Sequence, residues 1–115
     1  MNLIVRKYGG TSVGTIQRIK DIAKHLVDAR RAGDRLVVVL SAMTGETNRL
    51  VDLAHKINPE PSGRELDAMI STGEQVSISL LALALENHSC PVISLTGRQV
   101  PIITDSQFGK ARIKS

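Results

Sequence analysis

The 115-residue sequence predicts an α/β layered fold with a mainly parallel sheet. Three observations lead there. Short apolar runs alternate along the chain with longer stretches whose apolar residues recur at helical spacing. The run Leu36-Val37-Val38-Val39-Leu40 is continuously apolar rather than alternating, as expected of a strand covered on both faces between helix layers. Polar loops follow the first two runs directly, where ligand-binding loops of open α/β sheets lie, at the carboxyl ends of the strands.

Taken in order, residues 2–8 read as a strand and the glycine-bearing segment after it as a turn. Residues 15–32 read as a helix, because Ile16, Ile19, Ile22, Ala23, Leu26 and Val27 fall at three- and four-residue intervals, and Gly33 stops it. Residues 36–40 form the second strand. The loop Ser41-Ala42-Met43-Thr44-Gly45-Glu46-Thr47-Asn48 leads into a helix through Leu50, Val51, Leu53 and Ala54, and residues 58–63, with two prolines and a glycine, connect onward. Residues 64–86 read as a largely buried helix interrupted near Gly73. Residues 91–95 are expected to form a third strand, broken by Thr96-Gly97, and residues 100–103 a short fourth. If the first two strands are neighbours, their loops face one cleft. Three or four parallel strands leave open sheet edges, and the charged stretch 110–115 offers no closing element, so the chain reads as part of something longer.

Composition narrows the function classes. The length suits one domain with a modest core. Fifteen Lys and Arg against eleven Asp and Glu give a net charge of +4, a weak preference for anionic ligands. The basic residues of the first helix, Arg18, Lys20, Lys24, Arg30 and Arg31, are interspersed with Asp21 and Asp28 as on a solvated face, and only Tyr8 and Phe108 are aromatic, which argues against nucleic acid as partner. Cys90 is the only cysteine, excluding an internal disulfide and a thiolate zinc cluster and fitting a reducing cytoplasm. His25, His55 and His88 have no ligand-like spacing, and no residue is assigned as a metal ligand. There is no signal-peptide pattern, and the apolar stretch 78–85 is too short to span a bilayer, so no membrane role is expected.

The chemistry concentrates in Lys7-Tyr8-Gly9-Gly10-Thr11-Ser12-Val13-Gly14. A strand, a glycine turn and a helix arrange backbone amides to cradle phosphate. Gly9 and Gly10 allow close approach and positive φ, Lys7 adds a mobile cation, and Thr11 and Ser12 add hydroxyls. The spacing matches neither the dinucleotide fingerprint nor the Walker loop, so a plain β-α connection stays open as the bland alternative.

Three motifs in order, Lys7-Tyr8-Gly9-Gly10-Thr11-Ser12, Ser41 to Asn48 as quoted, and Ser71-Thr72-Gly73-Glu74, resemble the amino-terminal part of the aspartate kinase (aspartokinase) family of the amino acid kinase superfamily. The likeness continues through Leu95-Thr96-Gly97 and Thr104-Asp105-Ser106; the visible departure is Tyr8, where phenylalanine is commoner. The resemblance implies a partial three-layer α/β/α sandwich, with residues 1–115 forming the amino-terminal portion of an amino acid kinase domain and the remaining kinase and regulatory ACT sequence lying outside it. It implies ATP-dependent phosphorylation of the L-aspartate side-chain carboxylate to 4-phospho-L-aspartate, toward lysine, threonine and methionine, with magnesium accompanying ATP. Lys7 would contact the transferring phosphoryl group, Tyr8, Gly9 and Gly10 would form the nucleotide-phosphate loop supported by Thr11 and Ser12, and Ser41, Thr47 and Glu74 would belong to the aspartate site.

Each role has a structural alternative. Lys7 can be a snorkelling strand-end lysine, Ser41 a turn residue, Thr47 a helix N-cap with Asn48, and Glu74 a solvated or capping glutamate. Two further readings stand beside aspartate kinase: a superfamily member acting on glutamate, acetylglutamate, carbamate or a nucleoside monophosphate, and a non-catalytic nucleotide-binding module. The open sheet edge leaves self-association, or docking of a further portion, as expected partners.

Overall fold

The computed structural model describes residues 2–97, 99, 100 and 113. Their order is β1 (Leu3–Tyr8), α1 (Ile16–Arg31), β2 (Arg35–Leu40), α2 (Glu46–Ile57) and α3 (Gly63–Asn87). β1 and β2 pair in parallel in the register Leu3 to Arg35 through Tyr8 to Leu40, so their carboxyl ends, and the loops beyond them, lie side by side. The α/β character and the neighbouring loops match the sequence expectation.

Local chemistry accounts for the helix limits. Thr15 caps α1 by accepting the Arg18 amide at 3.2 Å. Past Ala32 the chain turns through Gly33 at φ +101°, and the Gly33 and Asp34 amides return to the Arg30 and Ala29 carbonyls in a Schellman motif. Ser62 caps α3 through the Glu65 amide at 3.3 Å. In the preceding connector, the Asn58 side chain accepts from the Glu60 amide at 2.9 Å, an Asx turn.

Ile19, Ile22, Ala23, Leu26 and Val27 of α1 form the core with Leu40 of β2, Leu81 and Leu85 of α3, and Val13 from the first loop. Helices α1 and α3 pack on each other and on β2, and α2 packs on α3. They cover the sheet face that carries Leu36, Val38 and Tyr8. The other face differs from expectation. Leu3, Val5, Val37 and Val39 are 47–66% exposed, so among the described residues the apolar run of β2 is covered on one side only.

Four further expectations are corrected. Helix α3 runs unbroken through Gly73, because that glycine packs against a neighbouring loop instead of breaking the helix. Residues 91–95 form no strand: no described segment pairs with them, and Ile93 is 78% exposed. A strand is stable only as part of a ladder. Gly45, not Thr47, is the N-cap of α2. Helix α3 is also, by length and composition, long and apolar enough to cross a membrane, which the short stretch 78–85 concealed. Its stripe of Gly73, Ser77, Leu81 and Leu85 is instead buried against the protein. The expected strand at residues 100–103, apart from Val100, and the segments at residues 104–106, 108 and 110–115, apart from Ile113, lie outside the described residues.

Candidate active site

Three segments converge where β1 and β2 end. The first is the turn after Tyr8. It is closed by the Ser12 amide bonding to the Gly9 carbonyl at 3.1 Å and the Gly14 amide to the Thr11 carbonyl at 3.3 Å. Two residues that the sequence reading did not single out for this purpose fix it to the body. Val13 is 0% exposed and drives the loop into the core, and the Arg18 guanidinium, in the first turn of α1, donates to the Thr11 carbonyl. Neither Gly9 nor Gly10 adopts positive φ. Gly10 is needed for closeness: a Cβ there would stand 3.2 Å from the Ala42 carbonyl oxygen.

The second segment is the loop after Leu40. The Ser41 amide continues the ladder to the Tyr8 carbonyl at 3.1 Å, and the Thr44 hydroxyl donates to the Gly10 carbonyl at 2.7 Å. The two strand-end loops are therefore tied directly together. Gly45 then turns the chain at φ +81° into α2, leaving Thr47 exposed in its first turn. At that helix N-terminus the peptide dipoles favour negative charge. Glu46 is already engaged there, its carboxylate bridged by the Arg49 guanidinium at 2.6 and 3.1 Å. That partner holds the Glu46 carboxyl below the usual carboxylate range and raises Arg49. The pair is consequently intact above the ordinary carboxylate range and is lost as pH falls through the lowered value.

The third segment is the middle of α3. A Cβ at Gly73 would lie 3.1 Å from the Ala42 Cβ and 3.3 Å from the Glu46 Cγ, so the helix backbone rests on the second loop. One turn later Ser77, 0% exposed, donates to the Ser41 carbonyl at 2.7 Å. Glu74, adjacent to Gly73, is exposed.

The structure thus gathers the backbones of the Gly9 to Ser12 turn, Ser41, the α2 N-terminus and the Gly73-Glu74 step around one sheet end. Lys7 is at the penultimate position of β1, paired with Val39 on the uncovered face, while Tyr8 turns toward the helices. Among the described residues neither the Lys7 ammonium nor the Glu74 carboxylate has an ion-pair or hydrogen-bond partner. No three His, Cys, Asp or Glu residues among those described cluster so as to hold a metal ion. Two concavities lie elsewhere, about 440 Å³ between α1 and α3 and about 520 Å³ beside Arg30 and Cys90, and neither is lined by the loop residues.

Comparison with known proteins gives this geometry a context. The sequence model described as "Amino acid kinase family" matches residues 2–114. An aspartate kinase from Pseudomonas putida is 59% identical over 113 residues, covering 98% of this chain and 28% of that protein. An aspartokinase from Geobacillus stearothermophilus is 49% identical over 113 residues, again 98% of this chain and 28% of the relative. The chain therefore spans a little over a quarter of the length of these relatives. Among solved structures, aspartate kinase from Synechocystis superposes with TM-score 0.81 at 56% identity, over 84% of this chain and 17% of that one. E. coli aspartokinase III in complex with aspartate and ADP shares the fold, with TM-score 0.82 at 22% identity over 99% of this chain and 35% of that one.

Proposed function

Because the chain belongs to the amino acid kinase family, we propose that it is the amino-terminal part of an aspartate kinase, which phosphorylates the side-chain carboxylate of L-aspartate with ATP on the path to lysine, threonine and methionine. The observation that carries this reading is the meeting of three polar motifs at the carboxyl end of one parallel strand pair, tied by the Thr44 to Gly10 bond. The aspartate kinases named above supply the substrate class.

In this reaction an aspartate carboxylate oxygen forms a bond to the γ-phosphorus while the bond to the bridging oxygen breaks, and ADP leaves with that electron pair. Charge spreads over the phosphoryl oxygens, so the protein contributes positioning and compensating charge. Lys7, exposed near the end of β1 and without a partner among the described residues, supplies the cation. The Tyr8 to Ser12 turn, held by Val13 and Arg18, offers amides and hydroxyls to the nucleotide phosphates. Thr47 in the first turn of α2 and Ser41 just past β2 orient aspartate carboxylates, and the exposed Glu74 carboxylate meets the substrate ammonium. Magnesium accompanying ATP would neutralise part of the phosphate charge, leaving the remainder to Lys7 and the turn amides. The protein is cytoplasmic.

The test is an acyl-phosphate trapping assay on a complete enzyme carrying this segment, with ATP and magnesium, offering aspartate, glutamate, acetylglutamate, carbamate and uridine monophosphate in turn. Hydroxamate formed with aspartate alone is expected. ADP production with another acceptor and not with aspartate would reassign the substrate.

A further inference from the structure

Ser77 is fully buried, yet it is polar and belongs to the stripe of α3 that otherwise presents Gly73, Leu81 and Leu85 to the protein. Its hydroxyl lies 2.7 Å from the Ser41 carbonyl and 3.0 Å from the Glu74 carbonyl. A hydroxyl has one proton, and the two acceptors differ in need. The Glu74 carbonyl is inside a helix, where the amide four residues on serves it. The Ser41 carbonyl lies one residue past β2, its hydrogen-bond partner among the described residues is Ser77, and the shorter contact is to it. The proton therefore goes to Ser41.

This bond joins two elements that the proposed aspartate site requires in fixed relation. Ser41 is the first residue after β2, and Glu74 is three residues before Ser77 on α3. One turn away Gly73 lets the helix backbone settle onto Ala42, so Gly73 removes the obstacle and Ser77 sets the register. We propose that Ser77 is a positioning residue for aspartate: its hydroxyl locks α3 to the end of β2 and so fixes the Glu74 carboxylate relative to the hydroxyl-bearing strand end. The proposal rests on the reading of Glu74 as the ammonium contact. It concerns aspartate and not ATP, because the glycine turn is held by other groups, Val13, Arg18 and Thr44.

The experiment compares Ser77→Ala, Glu74→Gln and the double variant in a complete enzyme carrying this segment, measuring KM for aspartate and for ATP separately. Losing one buried hydrogen bond is expected to raise the aspartate KM ~3- to 10-fold in Ser77→Ala, with the ATP KM changed less than about 2-fold. In the double variant the two effects on aspartate KM should combine to less than their product, since Ser77 acts through Glu74. Should the alanine variant not fold, Ser77→Cys keeps the volume with a much weaker donor and carries the same one-sided shift. An aspartate KM that rises in Glu74→Gln but not in the Ser77 variants overturns the positioning role alone, as does an equal rise in both KM values or full multiplicativity in the double variant. An unchanged aspartate KM in Glu74→Gln overturns the ammonium reading itself, and with it this proposal.

Discussion

Lys7 precedes the last residue of β1 with its ammonium exposed and unpartnered among the described residues, which fits its proposed role as a cation for phosphate. In a complete enzyme carrying this segment, Lys7→Ala is expected to lower kcat at least ~100-fold, because one preorganised charge-stabilising group contributes about 3 kcal/mol to such a barrier. Near-normal turnover in steady-state assays would return Lys7 to the role of a strand-end lysine. At this scale the sequence told residue type and motif order well and anchoring poorly. Lys7, Ser41, Thr47 and Glu74, whose roles remain proposals, were singled out through the motifs that resemble aspartate kinase. Val13, Arg18 and Ser77 were not, since what distinguishes them is a contact across the fold: Arg18 resembles its neighbours on the solvated face of α1 until its bond to the Thr11 carbonyl is seen. Ser77 carried a faint signal, a small polar residue four positions after Gly73 on an apolar stripe.

Helices α1 and α3 show why some elements were legible and others were not. The period of α1 and its stop at Gly33 are local properties, so residues 15–32 were readable almost to the residue. The continuity of α3 is not local. A glycine costs a helix about 1 kcal/mol relative to alanine, which reads as a break until packing against Ala42 explains it. Gly73→Ala should accordingly destabilise the protein despite better helix propensity. The added Cβ meets the Ala42 Cβ at 3.1 Å, and the loop around Ala42 is restrained by the Ser77 to Ser41 and Thr44 to Gly10 bonds. Overpacking of about 1–3 kcal/mol then exceeds the propensity gain, lowering the midpoint of urea unfolding; a raised midpoint would mean that the loop yields freely. At the far end of α3, the Ser89 and Cys90 amides bond to the Glu86 and Leu85 carbonyls in a Schellman turn, with Ser89 at φ +56° where glycine is unstrained. Ser89→Gly should stabilise by up to about 1 kcal/mol, seen as a higher midpoint in the same titration. An unchanged or lower midpoint would show that relief of strain is outweighed by the added freedom of the unfolded chain.

Among the described residues a packed core lies against one sheet face and an open apolar surface on the other. On one face of the sheet, α1 and α3 bury Leu36, Val38 and Leu40; on the other, Leu3, Val5, Val37 and Val39 stand open, and Val5 and Val37 are direct cross-strand neighbours. The sequence foretold a run fit to be covered twice, and the described residues cover it once, because the second cover is a property of packing partners and not of the run itself. Relatives about three and a half times as long have chain available for that purpose, since the segment spans only 28% of such a protein. The same gap bears on catalysis. Phosphoryl transfer needs both reactants held in line, and the open sheet end of these residues forfeits much of a positioning advantage that can reach ~7 kcal/mol or more. The 115-residue polypeptide by itself is thus expected to give little or no aspartate-dependent hydroxamate with ATP and magnesium, and to self-associate through its open apolar face in sedimentation velocity runs. Placing opposite charges on that face with Val5→Lys and Val37→Glu should shift it toward monomer without restoring turnover, because the pair is exposed and directly opposed across the ladder. A well-folded monomer of the unaltered polypeptide that turned over aspartate robustly would refute this view, and would require the complete site to be found within these residues.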